Sequence, residues 1–406
     1  MLWLVKGLDR GGAERLLVVS ARSRDRERLV VRAAYLLPQM DGLVAELEAV
    51  GIPVACLGRR RIFDPRWLAS LRTSLIQSPV DIVHAHSPVA AIGARIVAHS
   101  LPRRVRPRVV STDHSLWDSH VTATRWADGL TSGLDDARLT VSEAVRASLP
   151  TRIHRRSLVV TPGIDVEQVR AQRAQRTAIR TELGLEPSTL VVGTVANLRP
   201  VKAYPDLLAA ALDVVQRLPD VRFVAVGHGP QAGEIRALHA KLGLGDRVLL
   251  LGHRSDAVRV MAGCDVFALA SRSEGLSVAI MEALALGLPV VATDVGGIPE
   301  LVQHEREGLL VPPGRPRDLA TALVTVLTDA ERRRQMAEAA ARRGAALSMD
   351  TAVRRTEAVY HHLAAAGTAP RLGALHGVVG TPPTSREGSR LESTESLANI
   401  GEATEG

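Results

Sequence analysis

Aromatic residues make up only 2% of the 406-residue chain, and lysine occurs only at Lys6, Lys202 and Lys241. With so few rings, and none interleaved with the basic stretches, nucleic acid is not an expected partner. The two cysteines, Cys56 and Cys264, stand far apart. They indicate neither a disulfide framework nor a metal site, and they fit a reducing compartment. No apolar run reaches the roughly 18 residues that a membrane span needs. The opening MLWLVKG is interrupted too soon to read as a signal peptide. The pair Gly11-Gly12 does not have the G-x-G-x-x-G spacing, so a dinucleotide reading loses its main support. No paired-aspartate metal motif stands out. Asp135-Asp136 falls in a helix-to-strand turn and reads as structural, and neither a metal nor a cofactor is expected.

What is present is enough for two full cores: 46% hydrophobic and 23% charged residues over a long chain. The 51 basic residues outnumber the 43 acidic ones by eight, and the basic ones are nearly all arginine. They cluster at 22–28, 59–61 and 103–108, in the first half. Such clusters suit an anionic membrane surface or phosphorylated substrates, and equally the solvated faces of an arginine-rich chain.

Apolar runs of strand length alternate with helical patterns from the start: LWLV, the glycine loop and helix of GGAERLLVVSAR, RAAYLL, DGLVAELEAVG, IPVACLG, WLASLRTSLIQ, DIVHAHSP, AAIGARIVAHSL, RVVSTDHS, RWADGLTSGLD, ARLTVSE and SLVVTPGID. A polar helical connection, VEQVRAQRAQRTAIRTELGLEP, leads to a second series beginning TLVVGTVANL. This rhythm predicts an α/β chain with mostly parallel sheets, which place ligands beyond the carboxyl ends of their strands. The domains are drawn at 1–170 and 188–348, with a linker at 171–187 and an amphipathic closing helix at 349–366. The Gly/Ser/Thr/Pro/Glu-rich tail, 367–406, has little to bury.

One stretch organises the second series: residues 265–299, DVFALASRSEGLSVAIMEALALGLPVVATDVGGIP. It reads as strand, loop, helix, strand, loop, with Ser277 as helix cap. A helix start at the end of a parallel strand suits an anion. Glu274 in the loop and Glu282 inside the helix flank that start, so each is expected to take a different neutral part of a ligand whose phosphates dock on the helix end. Arg199 and Lys202, in the loop after Leu198, suit a diphosphate. Lys202 carries the more weight because lysine is so rare here. In the first series, His84 and His86 are read as pointing to opposite faces of their strand, with His86, nearer the strand end, facing a cleft. His114 ends the next sheet segment beside Asp113. Of Trp3, Trp67, Trp117 and Trp126, most are expected in the core, with Trp117 a candidate for an acceptor pocket.

Over about residues 3–365 the chain resembles the family 4 retaining glycosyltransferases of the GT-B fold. The segment SEGLSVAIMEALALGLPVVATDVGGIPEL looks like the family's E-x7-E segment and following glycine loop. GGAERLL, DIVHAHS, STDHSLW, VSEAV, PGID, NLRPVK, VGHGP and LGHR support it in order. The resemblance implies two Rossmann-like domains with parallel sheets facing a central cleft, the donor bound in the second, the acceptor mainly in the first, and the last helix returning to the first. Carried over by position, Glu274 meets the transferred sugar, Glu282 the ribose, and the amides near Leu276 and Ser277 the diphosphate. Arg199 and Lys202 neutralise the leaving group, Gly11 and Gly12 cover the donor, His114 lies near the sugar, and the backbone by His253 and Arg254 meets the base. Glu274, His114 and Lys202 are thus the expected catalytic residues, with His86 and Trp117 on the acceptor side. Many members have Gly-Arg-Leu where this chain has Ala196-Asn197-Leu198, and Lys-Gly where it has Lys202-Ala203. The implied activity is metal-independent, retaining transfer of a hexosyl unit from a nucleotide-sugar to a glycan, lipid-linked or small-molecule hydroxyl, in cell-surface glycan or glycolipid synthesis. It is expected in the cytoplasm, at the inner face of the membrane. A sugar-nucleotide epimerase of the same fold and a non-catalytic nucleotide-sugar-binding subunit are the alternatives.

Overall fold

A computed structural model describes residues 1–9, 11–59 and 64–365. The tail and part of the 59–61 arginine cluster lie outside the described residues. The first sheet has seven strands: β1 (Leu2–Val5), β2 (Arg32–Tyr35), β3 (Val54–Cys56), β4 (Ile82–Ala85), β5 (Arg108–Asp113), β6 (Ala137–Thr140) and β7 (Ser157–Val159). The second has six: β8 (Val191–Val195), β9 (Arg222–Val226), β10 (Val248–Gly252), β11 (Val266–Leu269), β12 (Val290–Thr293) and β13 (Gly308–Val311). Their orders are β3-β2-β1-β4-β5-β6-β7 and β10-β9-β8-β11-β12-β13, and every named pair is parallel. Central strands such as β11 and β12 are buried along their whole length. That is why they read as unbroken apolar runs rather than alternating ones.

In each sheet the strand order reverses once, between β1 and β4 and between β8 and β11. Parallel sheets open a crevice at such a switch point, beyond the strand ends. The four strand ends there lead directly to Gly11-Gly12, His86, Arg199–Lys202 and Ser271–Glu274. The architecture therefore gathers chemistry from segments far apart in sequence.

Two chain crossings join the halves. Ile164 bridges to Ser348 at the crossing, its N–H donating to the Leu347 carbonyl (2.8 Å) and its carbonyl accepting from Met349 N–H (2.9 Å). The helix Met349–Ala365 then lies on the first domain, where Val359, Tyr360 and Leu363 pack with Ile82, Val110, Leu139 and Leu158. The segment 166–182 buries Val169 and Ile179 in the second domain's core instead. Trp3 and Trp67 are core residues, but Trp126 is 70% exposed, which corrects the expectation that most tryptophans are internal. Its helix, Thr122–Thr131, turns inward not its rings but Asp128, which is 1% exposed.

Candidate active site

Glu274 is 7% exposed, in the loop between β11 and the helix Val278–Ala285. Its Oε1 accepts from Lys202 Nζ at 2.5 Å and from Ser271 Oγ at 2.6 Å. Ser271 is fully buried, and its carbonyl accepts from Thr293 Oγ1 at 2.5 Å. The carboxyl is therefore held from two segments, the loops after β8 and β11, and Thr293 of β12 anchors the Ser271 backbone behind it. Ser277 caps the helix with its hydroxyl accepting from Ile280 N–H. Gly296 has φ +53°, and a Cβ there would stand 1.7 Å from the carbonyl of Glu274. The paired glycines of the following loop are thus required by the close passage of the Glu274 backbone.

Lys202 is followed by Ala203 at φ 48°, ψ 45°, a left-handed conformation that glycine adopts freely and alanine does not. The Lys-Gly pair of related sequences and the Lys202-Ala203 of this chain therefore share one backbone shape, held here with strain. Arg199, one turn earlier, is exposed.

The first domain closes on this loop directly. The backbone of His114 touches Gly275 so closely that a Cβ at 275 would lie 2.0 Å from the His114 carbonyl oxygen. Ser142 Oγ donates to the Gly275 carbonyl at 2.7 Å. Glu300 accepts from the amides of Glu143 and Ala144 at 2.9 and 2.8 Å, fastening the domains together. Gly12, which begins the helix Gly12–Ser23, approaches Val278, which begins the helix across the cleft. Two helix N-termini thus converge beside Lys202, and the partial positive charge of both is directed into one space. The carboxylate of Glu14 folds back on Gly11, and burial raises its pKa, offset by Arg199.

Glu282, half-buried, lines a cavity of about 180 Å³ with Arg15, Ile164, Gln168, Ser255 and Val258. Burial pushes its carboxyl up to about 7, against the attraction of Arg15. Arg254 adjoins this cavity, but its guanidinium is engaged by Glu182 and Asp256, both at 2.7 Å. The cavity is lined instead by the residues that follow it, Ser255 and Asp256.

The histidines do not divide between faces. The rings of His84 and His86 lie 4.0 Å apart, because residues two apart on a strand share a face; the expectation of opposite faces is corrected. His84 is buried between the Tyr360 hydroxyl of the last helix and Thr112 Oγ1, at 2.5 and 2.7 Å. His86 Nδ1 is 3.4 Å from His114 Nε2. Burial lowers all three, His114 to about 4 and His84 to about 3, so at neutral pH they act as uncharged hydrogen-bonding groups. Trp117 is half-buried, under the Arg138 guanidinium 5.9 Å from its ring centre. Asp135 and Asp136 are structural, paired with Arg95 and Arg108.

Gly11, Gly12, His114, Lys202, Arg199, Glu274, Leu276 and Ser277 are thus brought to one cleft, while Glu282 lines the adjoining cavity together with Ser255, the residue after Arg254. Sequence reasoning missed Ser271, Glu14, Ser142 and Glu300. For Ser271 a signal existed, a serine three residues before Glu274 in a polar loop. The other three depend on how the domains meet.

Two family models cover almost the whole described chain, "Glycosyltransferase Family 4" over residues 2–168 and "Glycosyl transferases group 1" over 175–343. The chain belongs to the family 4 glycosyltransferases. Among the relatives of this glycosyltransferase is the N-acetyl-alpha-D-glucosaminyl L-malate synthase of Bacillus anthracis. It is 29% identical over 269 residues, 64% of this chain and 69% of that protein. The D-inositol 3-phosphate glycosyltransferase of Mycobacteroides abscessus is 38% identical over 176 residues, 42% of this chain but only 38% of its own length. Among solved structures, Anabaena HepE in complex with UDP-glucose superposes with a TM-score of 0.77 at 25% identity, covering 89% of this chain and 98% of that one. The sucrose-phosphate synthase of Thermosynechococcus elongatus, with a TM-score of 0.73 at 19% identity over 89% of this chain and 98% of its own, shares the fold. Both sheets and the cleft between them are those of a GT-B glycosyltransferase. No helix among the described residues is long and apolar enough to cross a membrane.

Proposed function

We propose that this glycosyltransferase moves a hexosyl unit from a nucleoside-diphosphate sugar to a hydroxyl acceptor, with retention and without a metal. The observation that carries the reading is the Lys202–Glu274–Ser271 cluster set where two helix N-termini meet. The UDP-glucose held by HepE supports a uridine nucleotide donor. Lys202, Arg199 and the amides at Leu276 and Ser277 would receive the diphosphate, and Gly11 and Gly12 would cover it. Glu282 would accept from ribose hydroxyls in the adjoining cavity, with the backbone after Arg254 against the base.

As the bond between the anomeric carbon and the phosphate oxygen breaks, negative charge grows on the diphosphate. Fixed cationic groups and amides stabilise it more there than in the ground state. Lys202 is held by Glu274. An arriving diphosphate competes for the ammonium and leaves the Glu274 carboxyl free to orient sugar hydroxyls, with Ser271 still fixing it. The acceptor oxygen bonds to the anomeric carbon on the face the phosphate leaves, and its proton passes to the departing phosphate oxygen. His114, uncharged at neutral pH, would hydrogen-bond the sugar without adding charge, with His86 behind it and Trp117 along the acceptor path. The acceptor class proposed is a glycan or lipid-linked hydroxyl, met on the cytoplasmic side of a membrane.

The test is a panel of nucleotide sugars given to the intact chain, with thermal shift and donor turnover read together. A bound ligand raises the melting temperature. Stabilisation by at least one nucleotide sugar, with transfer or slow hydrolysis of the same donor, is expected. Neither binding nor turnover across the panel would refute the reading, and donor conversion without an acceptor would favour an epimerase.

A further inference from the structure

The helix Thr122–Thr131 is inside out. A surface helix ordinarily turns its apolar stripe to the core and its polar face to water. Here the inward residue is Asp128, whose carboxylate takes Arg95 at 2.5 Å and Arg138 at 2.7 Å. Thr131 Oγ1 also accepts from Arg95, at 3.1 Å. Outward stand Trp126, 70% exposed, and Leu130, 79% exposed, one turn apart on one face, with Val121 at the helix start 66% exposed. Of seven large exposed apolar side chains among the described residues, two fall within this ten-residue helix and a third, Val121, is its N-cap, so the exposure is concentrated rather than scattered. Thr122, Arg125 and Gly129 share the face and, with Trp117, line a shallow concavity of about 370 Å³. The buried ions hold the helix in this orientation, so the exposed face belongs to the folded state.

The rim of this face is basic. The helix runs back from the end of β5 to the start of β6. At that end Arg152 and Arg156 line a second depression with Ser132 and Gly133. Arg103, Arg104 and Arg106, all exposed, lie on the segment entering β5, at the same end of the sheet. The acidic groups nearby are already engaged: Asp128 and Asp135 by Arg95, Asp113 by Arg138, Asp136 by Arg108, and the exposed Asp118 by Arg125 at 2.7 Å. An apolar wedge with uncompensated arginines around it matches an interface of acyl chains and anionic headgroups. A second copy of the chain docking symmetrically would set arginine against arginine, which disfavours that occupant.

We infer that the outer face of the helix Thr122–Thr131 is a membrane-docking surface, with Trp126 and Leu130 entering the headgroup region of an anionic bilayer and Arg103, Arg104, Arg152 and Arg156 meeting lipid phosphates. Trp117 ties one end of the face to the loop after His114, so the cleft mouth lies toward the bilayer. This gives the lipid-linked acceptor of the proposed function a route to the site; only that consequence rests on the transferase reading.

The experiment is co-sedimentation of the intact chain with phosphatidylglycerol-containing vesicles and with pure phosphatidylcholine vesicles, alongside its solution mass and its thermal shift with UDP-glucose in the absence of lipid. Wild type is expected to sediment with the anionic vesicles, less so at high salt. The double variant Trp126→Ser/Leu130→Ser should lose at least about tenfold in partitioning, and Arg152→Glu/Arg156→Glu should lose a similar amount. Both should keep the nucleotide-sugar thermal shift of wild type, which shows an intact fold. Equal sedimentation of wild type and the apolar double variant, no sedimentation of wild type, or a dimer that the double variant dissociates would each overturn the proposal. An absent thermal shift in wild type that still sediments would count against the donor reading and leave the docking surface standing.

Discussion

The two domains share one plan of parallel strands and covering helices, yet they bury different things. The first encloses a connected set of charges, in which Arg95, wholly buried, binds Asp128 and Asp135, and Arg138 binds Asp113 and Asp128. Next to it lie three uncharged histidines. The second domain packs mainly carbon, and its buried charged groups among the described residues are Arg180, Glu274 and Glu307. A buried ion network adds little net stability but orients what it touches, and breaking it is costly. In the first domain it fixes both the helix with Trp126 and the strand end before His114. In the second, the Glu274 carboxyl is oriented by Ser271, in the same loop, and by one lysine, Lys202. The difference separates a domain whose elements are oriented by buried ions from one oriented by a short loop and a single lysine.

The largest effect should come from removing the centre of the ion network. Arg95→Met leaves Asp128 and Asp135 without their shared partner, and a loss of about 3–5 kcal/mol is expected, read from denaturant midpoints. A loss below about 1 kcal/mol would break the contrast with the second domain. Next is the join between domains. Gly275→Ala sets a methyl group against the His114 carbonyl, and overpacking of this kind costs about 1–3 kcal/mol. Because the clash exists only when the domains meet, turnover should fall about ten- to a hundredfold while nucleotide affinity stays near wild type. Equal losses in both would show that the donor half does not bind by itself.

A smaller effect concerns Glu282. With its carboxyl at about 7 rather than 4.5, the folded protein holds a proton there that the unfolded chain releases, so this group's contribution to stability falls as pH rises from 4.5 through about 7. An ionised carboxylate is the better acceptor for ribose hydroxyls. Nucleotide-sugar affinity should therefore rise with pH below about 7, by at most about tenfold per pH unit, and Glu282→Gln should flatten that dependence in calorimetric titrations. The smallest change is Ala203→Gly, which relieves the left-handed alanine and should raise stability by no more than about 1 kcal/mol, seen as a higher melting temperature with turnover retained.

How much of this was legible in the chain follows the same contrast. The second domain's part of the candidate site could be located because the segment 265–299 carries strand, loop, cap, helix and both glutamates in unbroken order, and because a lysine in a chain almost without lysine draws attention to Lys202. Apolar runs bounded by glycine and proline likewise announced the strands. The first domain's site could not be read in this way. His86, His114, Ser142 and Tyr360 come from four separate segments, and only the sheet order and the returning helix bring them together. The expectation that most tryptophans are core fails at Trp126, because a tryptophan on a helix is ordinarily core and nothing local says that the helix's aspartate is its buried side. His84 and His86 were misassigned by misapplying the two-residue period of a strand, which puts both on one face. Glu300 and Ser142 act only across the domain boundary, a geometry that no local pattern encodes.

The central claim is that Glu274, held by Lys202 and Ser271, acts on the sugar rather than on the nucleotide. The direct measurement is nucleotide-sugar affinity and single-turnover rate in the intact Glu274→Gln variant beside wild type. Affinity within about twofold and a rate lower by about a hundred- to a thousandfold are predicted; an unchanged rate, or a loss confined to affinity, would contradict the account.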